Sequence, residues 1–268
     1  MPLTLITRGP KHGRCNICGA IGPLTEDHTP PKGCVRPSAM MLEHASDRLA
    51  VQRGVRAKAN DGVKYRTLCA RCNNSLLGGR YDPALIDFVN EVTRLLESPL
   101  LLPSSMTVLA KPRLIARAVW GHMAVVGVER YQKGRDTALL RDFFLDESIP
   151  IPQNLNFYYW LYPYRRQALI KDAGALDFRG GNAIYWLLKF YPMAFAMWTT
   201  TNAYHLSHRD LASHSSGRAG DVSQVIIDLS PIEHELVLEA PSDTQGLMFG
   251  REAIVANKRP PRARILRL

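Results

Sequence analysis

An α+β fold is predicted by three observations along the chain. The first 80 residues are rich in Gly, Pro and Arg and hold all five cysteines. Between residues 82 and 130, apolar side chains recur at three- and four-residue steps, the period of helices packed on one face. After Pro150 the pattern changes to β-branched and aromatic runs bounded by Gly, Pro, Asn and Ser. The expected order is a small cysteine-bearing module at 1–82, a helical segment at 83–148, a β-rich C-terminal domain at 149–250 and a basic tail at 251–268.

Within the first segment, 49–56 and 63–69 read as short strands joined by the turn Ala59-Asn60-Asp61-Gly62, where Asp-Gly is a hairpin signal. Asp82 followed by Pro83 reads as an N-cap and first helical position. The helix carries Leu85, Phe88, Val89, Val92, Leu95 and Leu96 on one face and stops before Pro99. A second helix is expected from Pro112 to about Arg130, and a third over 136–144. Strands are expected at 155–162, 167–171, 183–190, 193–201, 222–229 and 235–239. A polar loop at 205–221 separates the last two from the rest, and Lys258–Leu268 reads as an extension from the body.

Composition limits the function classes. The chain has 268 residues, of which 46% are hydrophobic, enough for a packed core and against general disorder. Its net charge is +10, and the excess sits at the two ends: 13 Lys and Arg against five acids in residues 1–80, and six against one in the last 18. Such a balance points to a polyanionic partner. The longest near-apolar run, Ala183–Trp198, is broken by Lys189 and Pro192 and is too short to span a bilayer. Met1–Pro10 lacks the apolar stretch of a secretion signal. A cytoplasmic protein without membrane association is expected.

Four cysteines form two C-x2-C pairs, Cys15/Cys18 and Cys69/Cys72, and Cys34 is left over. An odd count without a secretion signal argues against a disulfide framework. Four thiolates fill the tetrahedral shell of Zn²⁺ and give a closed, structural site. Cys34 reads as a small buried residue.

Between the pairs lies Glu26-Asp27-His28-Thr29-Pro30-Pro31-Lys32, and Asn73-Asn74 follow the last cysteine. The arrangement C-x2-C…E-D-H-x-x-P-K…L-C-x-x-C-N resembles the HNH endonucleases with a zinc-stapled ββα-metal (treble-clef) core. The resemblance covers roughly residues 12–80. It implies that His28 is the general base of phosphodiester hydrolysis. It implies that Asp27 and Asn73 ligate a catalytic Mg²⁺ or Mn²⁺, with Asn74 as fallback, and that DNA is the substrate. Lys32 and Arg71 are the candidate phosphate contacts. The chain departs from the pattern in having Asn at the last motif position. It also has Lys64 and Tyr65 where the family's middle Asn usually sits, and Asn60 is the nearest candidate. The resemblance places such proteins in restriction, phage defence, mobile elements or toxins, and bacterial or phage defence is the expected setting.

A non-catalytic, zinc-stapled nucleic-acid-binding protein is the alternative. A zinc nucleobase deaminase is disfavoured, because it needs H-x-E and an open zinc position, whereas His28 precedes Thr-Pro-Pro. Outside the module, the run Phe157–Tyr164 followed by Arg165-Arg166 reads as a strand in a sandwich, with base stacking as the lesser reading. His205, His208 and His214 read as scattered loop histidines. The C-terminal half is expected to recognise the target, pair with a second copy or bind a regulatory partner, and the tail arginines to grip phosphate.

Overall fold

The computed structural model describes residues 7–48, 56–99, 101–177, 181–199, 208–229, 245–250 and 252–258. Two short strands, β1 (His12–Arg14) and β2 (Ile21–His28), flank the first cysteine pair. Strands β3 (Met40–His44), β4 (Ala57–Ala59) and β5 (Lys64–Cys69) follow. The second cysteine pair opens a wide π-helical segment, Arg71–Tyr81, which runs without a break into α1 (Asp82–Leu96). Then come β6 (Ser105–Ala110), α2 (Pro112–Val125) and α3 (Arg135–Leu145). The rest is strands: β7 (Leu155–Leu161), β8 (Gln167–Asp177), β9 (Gly181–Phe190), β10 (Met193–Thr199), β11 (Arg209–Asp210), β12 (Ser223–Asp228), β13 (Gln245–Met248) and β14 (Ala253–Lys258). The mixed α+β class expected from the sequence is what the structure has.

The strands of the described residues form three sheets. A three-stranded sheet holds β1-β2-β5, and the smallest is the two-stranded pair of β6 with β12. The large sheet runs β11-β7-β10-β9-β8-β14-β3-β4, with β13 also on β8. Its central strands are buried on both faces: Phe157, Tyr158, Tyr159 and Trp160 are all in the core. Of the aromatic run only Tyr164 is exposed, so the run is core rather than a stacking platform.

Several sequence expectations are corrected here. Among the described residues, strand β5 does not pair with β4, the strand just before the turn. Its antiparallel partner is β2, with Leu24 opposite Cys69 and His28 opposite Lys64, while β4 pairs with β3. The Asp61-Gly62 turn is real, with Gly62 at φ +69°, but it joins strands of two different sheets. Pairing β5 with β2 is what carries the second cysteine pair to the first. Asp82 is not an N-cap: the chain is already helical through Tyr81, so there is no free helix end to cap. The boundaries drawn from composition are not boundaries of the sheet. Strand β14, in the expected tail, pairs with β8 on one side and with β3 of the first segment on the other. Ile17, Met40, Leu42, Tyr65 and Leu68 of that first segment belong to one core with α1 and α2. The strand expected at 235–239, most of that at 49–56, His205 and residues 259–268 lie outside the described residues.

The second helix ends at Val125, five residues before its expected limit, and the physical reason is local. Gly127 takes φ +90°, a conformation that stops a helix. The carbonyls of the last turn are then claimed by side chains from elsewhere. Asn16 donates through Nδ2 to the carbonyls of Ala124 (3.1 Å) and Gly127 (2.8 Å), and its Oδ1 accepts from the Arg130 amide (3.0 Å). Thr67 Oγ1 donates to Val125 O at 2.7 Å. Asn16 thus ties the first cysteine loop to α2, every residue of which is buried. Asn16→Ala leaves two buried carbonyls and an amide without these partners. Each orphaned group costs about 1–3 kcal/mol, so urea unfolding is expected to register a loss of about 3–5 kcal/mol. A change below about 1 kcal/mol would mean that solvent replaces the side chain.

Candidate metal centre and active site

The first cysteine pair sits on a tight loop between β1 and β2. Cys15 N–H donates to Ala20 O (2.9 Å), Gly19 N–H to Cys15 O (3.0 Å), and Gly19 adopts φ +76°. A side chain at Gly19 would also collide with the Tyr131 ring, since its Cβ would fall 2.6 Å from that ring. The second pair is placed by the end of β5 (Cys69) and the opening turn of the π-helix (Cys72). The four Sγ atoms lie within 4.8 Å of one another, and Cys18 and Cys69 are 3.7 Å apart. A Zn–S bond of about 2.3 Å in a tetrahedron requires ligand edges of about 3.8 Å, so the cluster can hold a metal ion such as zinc.

The thiol chemistry agrees. A hydrogen bond with Cys72 lowers Cys15 to about 5, whereas that contact, reinforced by burial, pushes Cys72 upward. Burial raises Cys18 to about 11. Among Cys15, Cys18 and Cys72 the thiolate is favoured at Cys15, and a divalent cation is what stabilises clustered thiolates together. Cys34 stands outside the cluster, its thiol pushed well up by burial and by the nearby Asp82 charge. Among the described residues, the histidines of the C-terminal loop form no comparable cluster: His208 stacks on Trp160 with ring centres 4.7 Å apart.

His28 is the last residue of β2. Its Nε2 lies 3.1 Å from the Asp61 carbonyl oxygen and 3.5 Å from Asp61 Oδ2. A carbonyl can only accept, so Nε2 carries the proton and Nδ1 keeps its lone pair. Asp61 is in turn ion-paired with Lys64. Burial, then the charges of Lys32 and Lys64, hold the His28 pKa below its ordinary value, so the ring is neutral at pH 7. A small cleft of about 10 Å³, lined by His28, Arg36, Pro37, Gly62 and Gln167 among others, has room for about one water.

Asn73 is buried, and its Nδ2 donates to Thr25 Oγ1 (2.9 Å) and Glu26 O (3.1 Å), at the irregularity of β2 just before Asp27. Its carbonyl oxygen is the group left to meet a cation. Asn74, Asn60, Lys32 and Arg71 are exposed.

Comparison with family models, with curated proteins and with solved structures finds no match for this chain.

Asp27 and His28, though consecutive, have different partners. Asp27 Oδ2 lies 3.3 Å from Nδ1 of His122, and His122 Nε2 donates to Asp82 Oδ1 at 2.9 Å. His122 is wholly buried. Burial would lower its pKa, but Asp82 and then Asp27 outweigh that and raise it to about 10. Sequence reasoning missed both His122 and Asp61. The signal for His122 was a histidine inside a fourteen-residue helix that is apolar on nearly every side, Pro112–Val125. In the sequence Asp61 carries only the Asp-Gly turn signal, and no local pattern ties it to His28.

Proposed function

We propose that this chain is a metal-dependent endonuclease that hydrolyses DNA phosphodiester bonds with His28 as general base. The observation that carries the reading is the state of His28. The ring is fixed by the Asp61 carbonyl, leaves Nδ1 free to accept a proton, is neutral at pH 7 and faces a cleft of one-water size. In the proposed step Nδ1 takes a proton from that water as its oxygen bonds to phosphorus. The bond from phosphorus to the 3′ oxygen breaks, and that oxygen leaves with the electron pair and is then protonated.

The donor set beside His28 suits a hard or borderline cation. Asp27 Oδ2 is buried without a hydrogen-bond partner, and the Asn73 carbonyl oxygen is the neighbouring candidate, with exposed Asn74 as substitute. A Mg²⁺ or Mn²⁺ held there would stabilise charge on the scissile phosphate and the leaving oxygen. The cysteine cluster is reserved for zinc, as a staple without a catalytic part. Exposed Lys32 and Arg71, with Arg36 on the cleft, supply phosphate attraction.

The test is cleavage of supercoiled plasmid by the zinc-loaded chain with Mg²⁺ or Mn²⁺. Failure to nick DNA with any divalent ion overturns the reading. The pH profile adds a second check. Because the His28 pKa is lowered, cleavage is expected to fall only on the acid side of 6.5. Lys32→Ala removes a positive charge that disfavours the imidazolium, so the pKa rises and the acid limb moves to higher pH. An acid limb that stays in place in Lys32→Ala would show that His28 does not govern the rate.

A further inference from the structure

Asp27 Oδ2 and His122 Nδ1 are both buried, and neither has a hydrogen-bond partner although they lie 3.3 Å apart. Two adjacent orphaned polar atoms in a core are costly, and their arrangement suits a shared cation. Ligand bonds of about 2.1 Å, meeting at 90° to 109°, separate two ligand atoms by about 3.0–3.4 Å. On the far side of the ring, Asp82 accepts the Nε2 proton at 2.9 Å. That is the carboxylate–histidine–metal arrangement, in which an outer carboxylate fixes the tautomer and turns the other nitrogen toward the ion. Charge agrees as well: two carboxylates around a neutral imidazole are balanced by one divalent ion. Asp27 keeps 14% of its side chain exposed, so the carboxylate borders solvent, whereas His122 is wholly enclosed.

We propose that Asp27 Oδ2 and His122 Nδ1 together ligate the divalent cation, with Asp82 as the residue that orients His122. The site is then completed by His122 of α2, outside the first 82 residues that carry the cysteine pairs, and oriented by Asp82 at the start of α1. This rests on the reading of Asp27 as a cation ligand. It also narrows the ion: an imidazole nitrogen favours Mn²⁺ or a later first-row metal over Mg²⁺, which prefers an all-oxygen shell.

The experiment uses the full zinc-loaded chain without DNA and Mn²⁺ as the probe, with affinity from titration and ligand identity from pulsed electron paramagnetic resonance. One Mn²⁺ per chain beyond zinc is expected, with a directly bound ¹⁴N nucleus. That coupling is expected to survive in His28→Ala and to vanish in His122→Gln. Asp82→Asn is expected to weaken Mn²⁺ binding about 10- to 100-fold while zinc content stays constant. The wild-type and His28→Ala spectra decide the matter even if a substitution at His122 fails to fold. Absence of Mn²⁺ binding, absence of nitrogen coupling, or unchanged affinity in Asp82→Asn overturns the proposal. A chain that binds Mn²⁺ through nitrogen yet leaves plasmid intact overturns the nuclease reading and leaves this site standing. Cleavage with a nitrogen-free Mn²⁺ does the reverse.

Discussion

The purified chain is expected to contain one zinc per molecule, and removing it is expected to unfold far more than the cysteine loops. Structural zinc in small sites contributes about 10–16 kcal/mol of apparent binding energy, whereas whole domains are stable by about 5–15 kcal/mol. The cluster joins β1, β2, β5 and the π-helix. Asn16, between two of its ligands, and Thr67, two residues before another, hold the end of the buried helix α2. Loss of the metal therefore reaches the common core. Cys69→Ser is expected to lose zinc and to melt at least about 10 °C lower, taking about 2–4 °C per kcal/mol for a chain of this size. Cys34→Ala, outside the cluster, keeps its zinc. A melting curve that is indifferent to a strong chelator under reducing conditions would remove the staple from the account.

His28→Ala is expected to lower plasmid cleavage about 10²–10⁴-fold, the usual contribution of a general base, with zinc content and fold intact. The fold is expected to survive because His28 makes one hydrogen bond at the rim, to the Asp61 carbonyl, and that carbonyl can turn to water. Asp61→Asn separates orientation from charge: the backbone carbonyl that fixes His28 remains, and only the carboxylate is lost. Its expected effect on the rate is accordingly small beside that of His28→Ala. Cleavage by His28→Ala at the wild-type rate would assign the proton transfer to another group.

What the sequence made legible follows from range. Helices α1, α2 and α3 were visible because a period near 3.6 is a local property of a few adjacent residues. The four cysteines were visible because C-x2-C fixes two ligands within one turn of chain, and the two pairs then had only each other. Strand β14 is hidden because Ala253–Ala256, buried between β8 and β3, is too short to display a period and borders a run of basic residues. The β6–β12 ribbon joins Ser105–Ala110 to Ser223–Asp228 across more than a hundred residues, and no local pattern encodes that pairing. The candidate site divides the same way. Asp27, His28 and Asn73 are read from adjacent letters; His122 and Asp82 reach the site only through packing of α2 against α1.

The clasp of β14 on β3 has a consequence in time. Residues 40–44 leave the ribosome with one strand edge unfilled, and their partner at 253–258 follows about 200 residues later. At 5–20 residues per second that wait lasts roughly 10–40 s. During it, Met40 and Leu42, destined for the core, and the open backbone beside them are available to any passing strand. The first segment, which bears His28 and the cysteines, thus holds a strand whose partner is made among the last of the described residues.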